Sequence, residues 1–238
     1  MKKKKITQDK VVYFINYVLL ALLLVIVLYP IIYIISCSFS SGSALMAGRV
    51  RLLPVEFTFD SYKAVFKYQS IWSGYKNSVI YTIVGTLISI VFTLFAAYPL
   101  SRDDFRGQKL FTGLFLFTMM FSGGLIPTYL LVRNLKLIDT MWAIVLPGAV
   151  SAYNMIVART FFKQTIPKEL MEAAEMDGCS DFKFFSRIVI PLSTPIVAVL
   201  CLWVAVSLWN SYFNPMIYIN SEDKYPLQLV LRRILLMS

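Results

Sequence analysis

The sequence contains no histidine, and its three cysteines, Cys37, Cys179 and Cys201, show neither CxxC nor metal-ligand spacing. A zinc site and a disulfide framework are not indicated, and no metal or cofactor is expected. Charge is scarce as well: Asp, Glu, Lys and Arg make up 15% of the residues, and none falls in the middle of a long apolar run. Ion-coupled carriers place ionisable side chains at that depth, so this energy source has no foothold. No GxxxxGK[ST] phosphate loop occurs, so the chain does not bind ATP in that manner. Convergent nucleophiles, acids and metal ligands are missing from the apolar runs, which argues against an intramembrane enzyme.

What is present is apolar. Hydrophobic residues make up 58% of the chain, and several uncharged runs exceed the roughly 20 residues that cross a bilayer as a helix. The expected fold is all-α, a polytopic bundle of transmembrane helices. A basic tail at 1–10 precedes the membrane domain at 11–238, with spans expected at 11–39, 77–100, 110–132, 140–162 and 192–213. The first run is far longer than the roughly 7 to 15 residues of a signal core, so it reads as an uncleaved span with Pro30 marking a kink. Cys37, after Ile34-Ile35-Ser36, reads as a small apolar residue rather than a lipid attachment site. Residues 40–75 mix charges with aromatic side chains suited to the headgroup region and are too few for a domain.

Polar residues inside the spans mark where helices meet. In the second span Ser78, Thr82, Gly85 or Thr86, Ser89, Thr93 and Ala96 recur at helical spacing. Small and hydroxylated residues let helices approach closely in lipid, so this face is expected to look into the bundle. Its hydroxyls, Thr86 and Ser89 among them, either pack helices or line a route for a solute. In the third span Ser122, Gly123, Gly124 and Pro127 mark either a broken helix that lines a cavity or the outer end of the span near Phe121. The fifth span closes on Trp209 and Asn210, followed by Asn214-Pro215. Asn210 either faces a solute route or caps its own helix.

The longest polar interruption between two strongly apolar segments runs from Pro167 to Pro191, PKELMEAAEMDGCSDFKFFSRIVIP. Pro167 suits the first position of a helix, and Glu169 complements the positive end of its dipole. The helix should run to about Asp177 and stop at Gly178, which takes a left-handed conformation without a Cβ clash. Leu170, Ala173, Ala174 and Asp177 would share one face, with Glu172 and Glu175 beside it free to pair with basic groups on a partner. Ser180 and Asp181 offer caps for a second helix, ended by Pro191.

Glu172-Ala173-Ala174, three residues, Gly178, nine residues, then Ile188-Val189-Ile190-Pro191 resembles the EAA loop of binding-protein-dependent ABC importer permeases. With Asp177 before the glycine it is most similar to the carbohydrate-importing branch, of the maltose-type second-permease kind. Ile190 departs from the pattern, where the family usually has Leu. The resemblance implies a coupling loop at 163–191 that docks on a cytoplasmic ATPase subunit through Glu172, Ala173, Ala174, Asp177, Gly178 and Pro191. Trp209, Asn210 and Pro215 also resemble the end of the corresponding span in carbohydrate permeases. On this resemblance the chain is not itself an enzyme and passes an oligosaccharide or other carbohydrate. Its partners would be a second homologous permease, two ATPase subunits, an extracellular solute-binding protein and membrane lipid. Alternatives are a permease for another small solute and a passive scaffold or channel.

Orientation follows from the basic residues. With the N-terminus inside, inner segments hold thirteen lysines and arginines and outer segments ten. The dense cluster Lys2 to Lys5 decides the sense, which places the N-terminus and the EAA-like loop in the cytoplasm of a bacterial cell membrane protein. The net charge of +10 then reads as membrane topology, with no nucleic acid partner expected. Five spans place Ser238 outside, and the sixth span that the family normally has is expected to be missing from this sequence.

Overall fold

The computed structural model describes residues 2–237, with side chains over residues 10–236; Lys2 to Lys5, which carry the orientation argument, and Ser238 lie outside the side chains described. Fourteen α-helices and no strand occur among the described residues. The chain divides into two compact units, Met1–Gln69 and Ser70–Ser238.

The first unit begins with α1 (Lys2–Ser38), which passes through Pro30 without ending. Its stretch Lys10–Ser38 is long and apolar enough to cross a membrane, and none of its strongest apolar window is buried. The mixed segment that follows is folded around the end of α1. Ser36 Oγ donates to the Leu52 carbonyl at 2.7 Å, and Ser40 Oγ donates to the Ser36 carbonyl at 2.6 Å while accepting from the Val55 amide at 3.0 Å. Serines thus satisfy polar backbone groups where the helix ladder stops. Short helices α2 (Gly42–Met46) and α3 (Asp60–Lys67) flank an aromatic cluster in which Phe39 stacks on Phe57 at 5.4 Å.

The second unit is organised on α4 (Gln69–Ser101), a 33-residue helix. It turns inward the face marked by its small and hydroxylated residues: Ser78, Gly85, Ser89, Thr93 and Ala97 are all buried. Then come α5 (Gln108–Met120), α6 (Leu125–Asn134), α7 (Trp142–Val145) and α8 (Ala152–Thr165). After these the chain forms α9 (Lys168–Met176), α10 (Asp181–Phe184), a π-helical turn (Phe185–Val189), α11 (Ile190–Leu192) and α12 (Thr194–Trp209). In the main core cluster Ile90, Leu94 and Leu100 of α4 meet Met155 and Phe162 of α8, Phe184, Phe185 and Val189, and Ile196 and Leu200 of α12; smaller clusters form around Tyr81 and around Val132. Last are α13 (Phe213–Tyr218) and α14 (Leu227–Met237). The loop between them is held to α4 by Asn77, which donates to the Asp223 carbonyl, by Tyr81, which donates to that of Lys224, and by Ser78, which accepts from the Leu227 amide.

Three of the expected spans are interrupted, the first of them at the glycines where a broken helix is one of the two readings. The run 110–132 is broken between α5 and α6, which meet at 114°. The run 140–162 is divided into α7 and α8 by the non-helical segment Leu146 to Ser151, because Pro147 has no N–H to give and Gly148 favours coil. Within the stretch 192–213 the long helix covers only Thr194 to Trp209, and it bends by 80° from the limb that precedes it. Among the described residues, two helices are long and apolar enough to cross a membrane, or up to four if each bent pair is one span.

Pro191 does not end its helix. The π-helical turn just before it, in which the Ile190 amide bonds to the Phe185 carbonyl, widens the coil so that the proline ring fits and the chain runs on to Leu192. Pro167 lies one position earlier than expected, as the extended N-cap of α9.

Candidate functional site

Two features converge on α4 and α8: an exposed helix, α9, at one end of them, and a polar cavity farther along. The closure of α9 follows its glycine. Gly178 has φ +69, its amide donates to the Glu175 carbonyl at 3.0 Å, and the Cys179 amide donates to that of Ala174 at 2.9 Å. This paired left-handed cap satisfies the last carbonyls and turns the chain sharply into α10. Met171 and Ala174 pack against the core cluster. On the opposite side Glu169, Glu172, Ala173 and Met176 are exposed at spacings of three and four, Met176 at 89%. The outward stripe is therefore rotated from the expected one, since Ala174 faces inward and Ala173 outward. Asp177 caps the helix and is exposed, as is Pro191.

The polar loop between α4 and α5 grips α9 and its neighbours through ions. Arg102, whose side chain is 13% exposed, directs all five of its N–H groups to protein oxygens. Nε and Nη2 fork onto Asp104 at 2.9 and 2.7 Å. Nη2 also reaches Glu175 of α9 at 3.4 Å, and Nη1 bonds to Asp181 of α10 and to the Tyr98 hydroxyl at 3.3 Å. The Asp104 carboxylate in turn pushes the guanidinium pKa up. Glu175, expected to be free for a partner, is thus already engaged within the chain. Asp103 joins Lys163 of α8 at 2.7 Å and Lys168 of α9 at 2.5 Å, and these two bonds hold its carboxyl down to about 2. Arg159 of α8 and Gln108 of α5 both donate to the Leu100 carbonyl, at 2.7 and 2.9 Å.

The second feature is a cavity of about 330 Å³ at two helix breaks. Gly85 and Ser89 of α4 form one wall; Ser151 and Asn154 at the start of α8 and Trp203, Ser207, Ser211 and Asn214 complete the polar lining. Ser151 caps α8 by accepting from the Asn154 amide at 3.4 Å. Irregular backbone is tolerated at membrane depth where it borders a cavity, which both breaks do. Every lining residue is uncharged. Hydroxyls, side-chain amides and an indole are suited to hydrogen-bond and stack on a neutral polar surface such as a sugar ring.

Of the residues expected along a solute route, only Ser89 lines this cavity. Asn210 is exposed and bonds back to the Val206 carbonyl at 2.9 Å, the helix-capping alternative. Trp209 packs edge-on against Tyr75 at 5.6 Å. Gly123 and Gly124 are exposed at the α5–α6 turn and line neither feature described above. The Thr86 hydroxyl is buried with no hydrogen-bond partner among the described residues and also stands outside the lining. Sequence reasoning missed Ser151, Asn154, Ser207, Ser211 and Asn214. The last three recur at spacings of four and three, but α12 ends at Trp209, so that spacing does not put them on one helix face.

The geometry has clear relatives. Residues 2–228 match the family described as "Binding-protein-dependent transport system inner membrane component". Protein LplC of Bacillus subtilis (strain 168) is 42% identical over 213 residues, covering 90% of this chain and 72% of the relative. The polygalacturonan/rhamnogalacturonan transport system permease protein YtcP of the same organism is 39% identical over 222 residues, covering 93% and 77%. A crystal structure of a bacterial ABC transporter involved in the import of the acidic polysaccharide alginate superposes with TM-score 0.91 at 39% identity, covering 95% of this chain and 80% of that one. Matched over nearly its whole length, the chain belongs to the family of binding-protein-dependent transport system inner membrane components.

Proposed function

We propose that this chain pairs with a second, homologous permease to form the membrane route of an oligosaccharide importer, with α9 as its docking helix for an ATPase. Family membership makes the chain a membrane transport subunit that is not itself an enzyme and that works with a separate ATPase and a substrate-binding protein. The carbohydrate reading is supported by the transport functions of YtcP and of the alginate importer, and by a cavity lined with neutral hydrogen-bonding groups. The distribution of basic residues in the sequence supports a cytoplasmic α9.

The observation that carries the docking assignment is α9 itself: its inner face is locked by packing and ion pairs, while Glu169, Glu172, Ala173 and Met176 stand exposed. Closure of the ATPase pair on ATP moves α9, and the bundle rocks between two access states as a rigid-body change. Binding energy that differs between the two states drives the change, since equal affinity for both would shift nothing.

Ala173→Arg tests this reading. The residue is exposed, so the fold and the membrane level stay intact, while a long cation stands where a partner must come close. Affinity purification from membranes should recover at least about tenfold less ATPase than with the wild type, a loss of about 1.4 kcal/mol in binding. Full retention of the ATPase by the variant would show that α9 is not the docking element.

A further inference from the structure

The coupling reading leaves open how a movement of α9 reaches a cavity that α9 does not touch. Covalently, α9 continues into α8 on one side and α10 on the other. The α4–α5 loop supplies a third connection. Arg102 follows directly after the last residue of α4, and its partners come from three segments: Asp104 in its own loop, Glu175 on α9 and Asp181 on α10. From Ser101 back to Gly85, which borders the cavity, α4 is one unbroken helix, about 24 Å at about 1.5 Å per residue.

Resting on the assignment of α9 as the docking helix, we propose that Arg102 is a positioning residue that transmits ATPase movement from α9 and α10 to α4 and so to the cavity wall. A guanidinium suits this task better than an ammonium. Its rigid planar fork holds Asp104 in two parallel bonds and still has donors aimed at Glu175, Asp181 and Tyr98, whereas a lysine offers three donors on a flexible stem. Without the cation, three carboxylates face one another across the elbow and the end of α4 loses its charged tie to Glu175 and Asp181, leaving the Asp103 pairs and core packing to hold it. The carboxylates of this cluster are exposed, and what separates it from isolated surface ion pairs is that one largely covered arginine fixes three of them in a network.

The test uses the complete transporter in proteoliposomes, with Cys37, Cys179 and Cys201 replaced by serine and a single reporter, Ser207→Cys, in the cavity wall. A small thiol reagent reports access to position 207 before and after trapping with ATP and vanadate. In the parental complex trapping should change the labelling rate at least about tenfold, a shift in state populations of the size that rocking requires. With Arg102→Ala the change should fall below about twofold while the ATPase still co-purifies at the parental ratio, and Arg102→Lys should recover part of it. Asp181→Asn, at a side chain 73% exposed, repeats the test if Arg102→Ala does not accumulate in the membrane.

A full labelling change in Arg102→Ala overturns the proposal, and so does loss of the ATPase from that variant, which would make Arg102 part of the docking surface. Failure of the parental complex to retain any ATPase would instead overturn the docking assignment beneath it. A fall in labelling response with the ATPase in place supports transmission, because a merely structural defect would remove both together.

Discussion

Gly85→Leu is expected to reduce transport about a hundredfold, equivalent to about 2.7 kcal/mol in the rate-limiting step, while leaving the ATPase bound. A Cβ at position 85 would stand 2.6 Å from Leu208 Cδ1 and 3.4 Å from Val145 Cγ2, so the glycine is what lets α4 approach the end of α12. The Leu208 methyl is the far end of a flexible side chain and can swing aside for an alanine, at about 1 kcal/mol, the low end of overpacking costs. A leucine has to push farther, into a cavity of about 330 Å³ whose other walls are the two helix breaks. Uptake by membrane vesicles should therefore fall in the order Gly85→Ala, Gly85→Val, Gly85→Leu. Wild-type uptake by Gly85→Leu would mean that solute passes elsewhere.

The second large effect is on stability, at the opposite end of the unit from α9. Asp139, at φ +62 and 25% exposed, ties the loop before α7 to the loop after α13. Its carboxylate accepts from Lys224 Nζ at 2.7 Å, from Ser221 Oγ at 2.6 Å and from the amides of Asn220 and Ser221 at 3.0 and 2.9 Å. Asp139→Ala strands these donors, and a loss of about 3 kcal/mol is expected, the value for breaking a satisfied charged network. Thermal unfolding in detergent measures it. The bond from Lys224 is the largest of several influences that hold the carboxyl well below the usual carboxylate range. A depressed folded value means that the stabilisation is fully present above the unfolded value of about 4 and is lost as pH falls through the folded one. Acidification below about pH 4 should therefore destabilise the wild type more steeply than Asp139→Asn.

Much of this arrangement was legible because membrane folding writes itself in composition. Uncharged runs longer than a bilayer is thick announced an all-helical bundle, and the stripe from Ser78 to Thr93 named the face of α4 that turns inward. The closure at Gly178 was readable because few residues other than glycine adopt φ +69 comfortably. Breaks inside apolar runs were harder, since hydropathy averages over Pro147 and Gly148 and reads straight through them. The roles of Asn210 and Asn214 differ only in which way the chain leaves α12, a geometry that no spacing encodes. Arg102 was illegible for another reason: Glu175 and Asp181 lie 73 and 79 residues away, so SRDDFRGQK reads as a solvated loop until the fold closes. The wider likeness to the EAA loop was visible at once because its spacing is local and long.

The π-helical turn at Phe185–Val189 bears on stiffness. A wide turn, followed within a few residues by a proline and an 80° bend at Ser193, makes a poor push-rod. A load entering at α10 would be absorbed as flexing at this joint before it reached the cavity through α12. α4 stays one α-helix from its gripped end to its glycine, with no π turn; Pro99, in its last turn, removes a single ladder bond. Of two parallel linkages leaving one elbow, the stiffer carries the displacement while the softer lets the bundle keep its core packed as it moves.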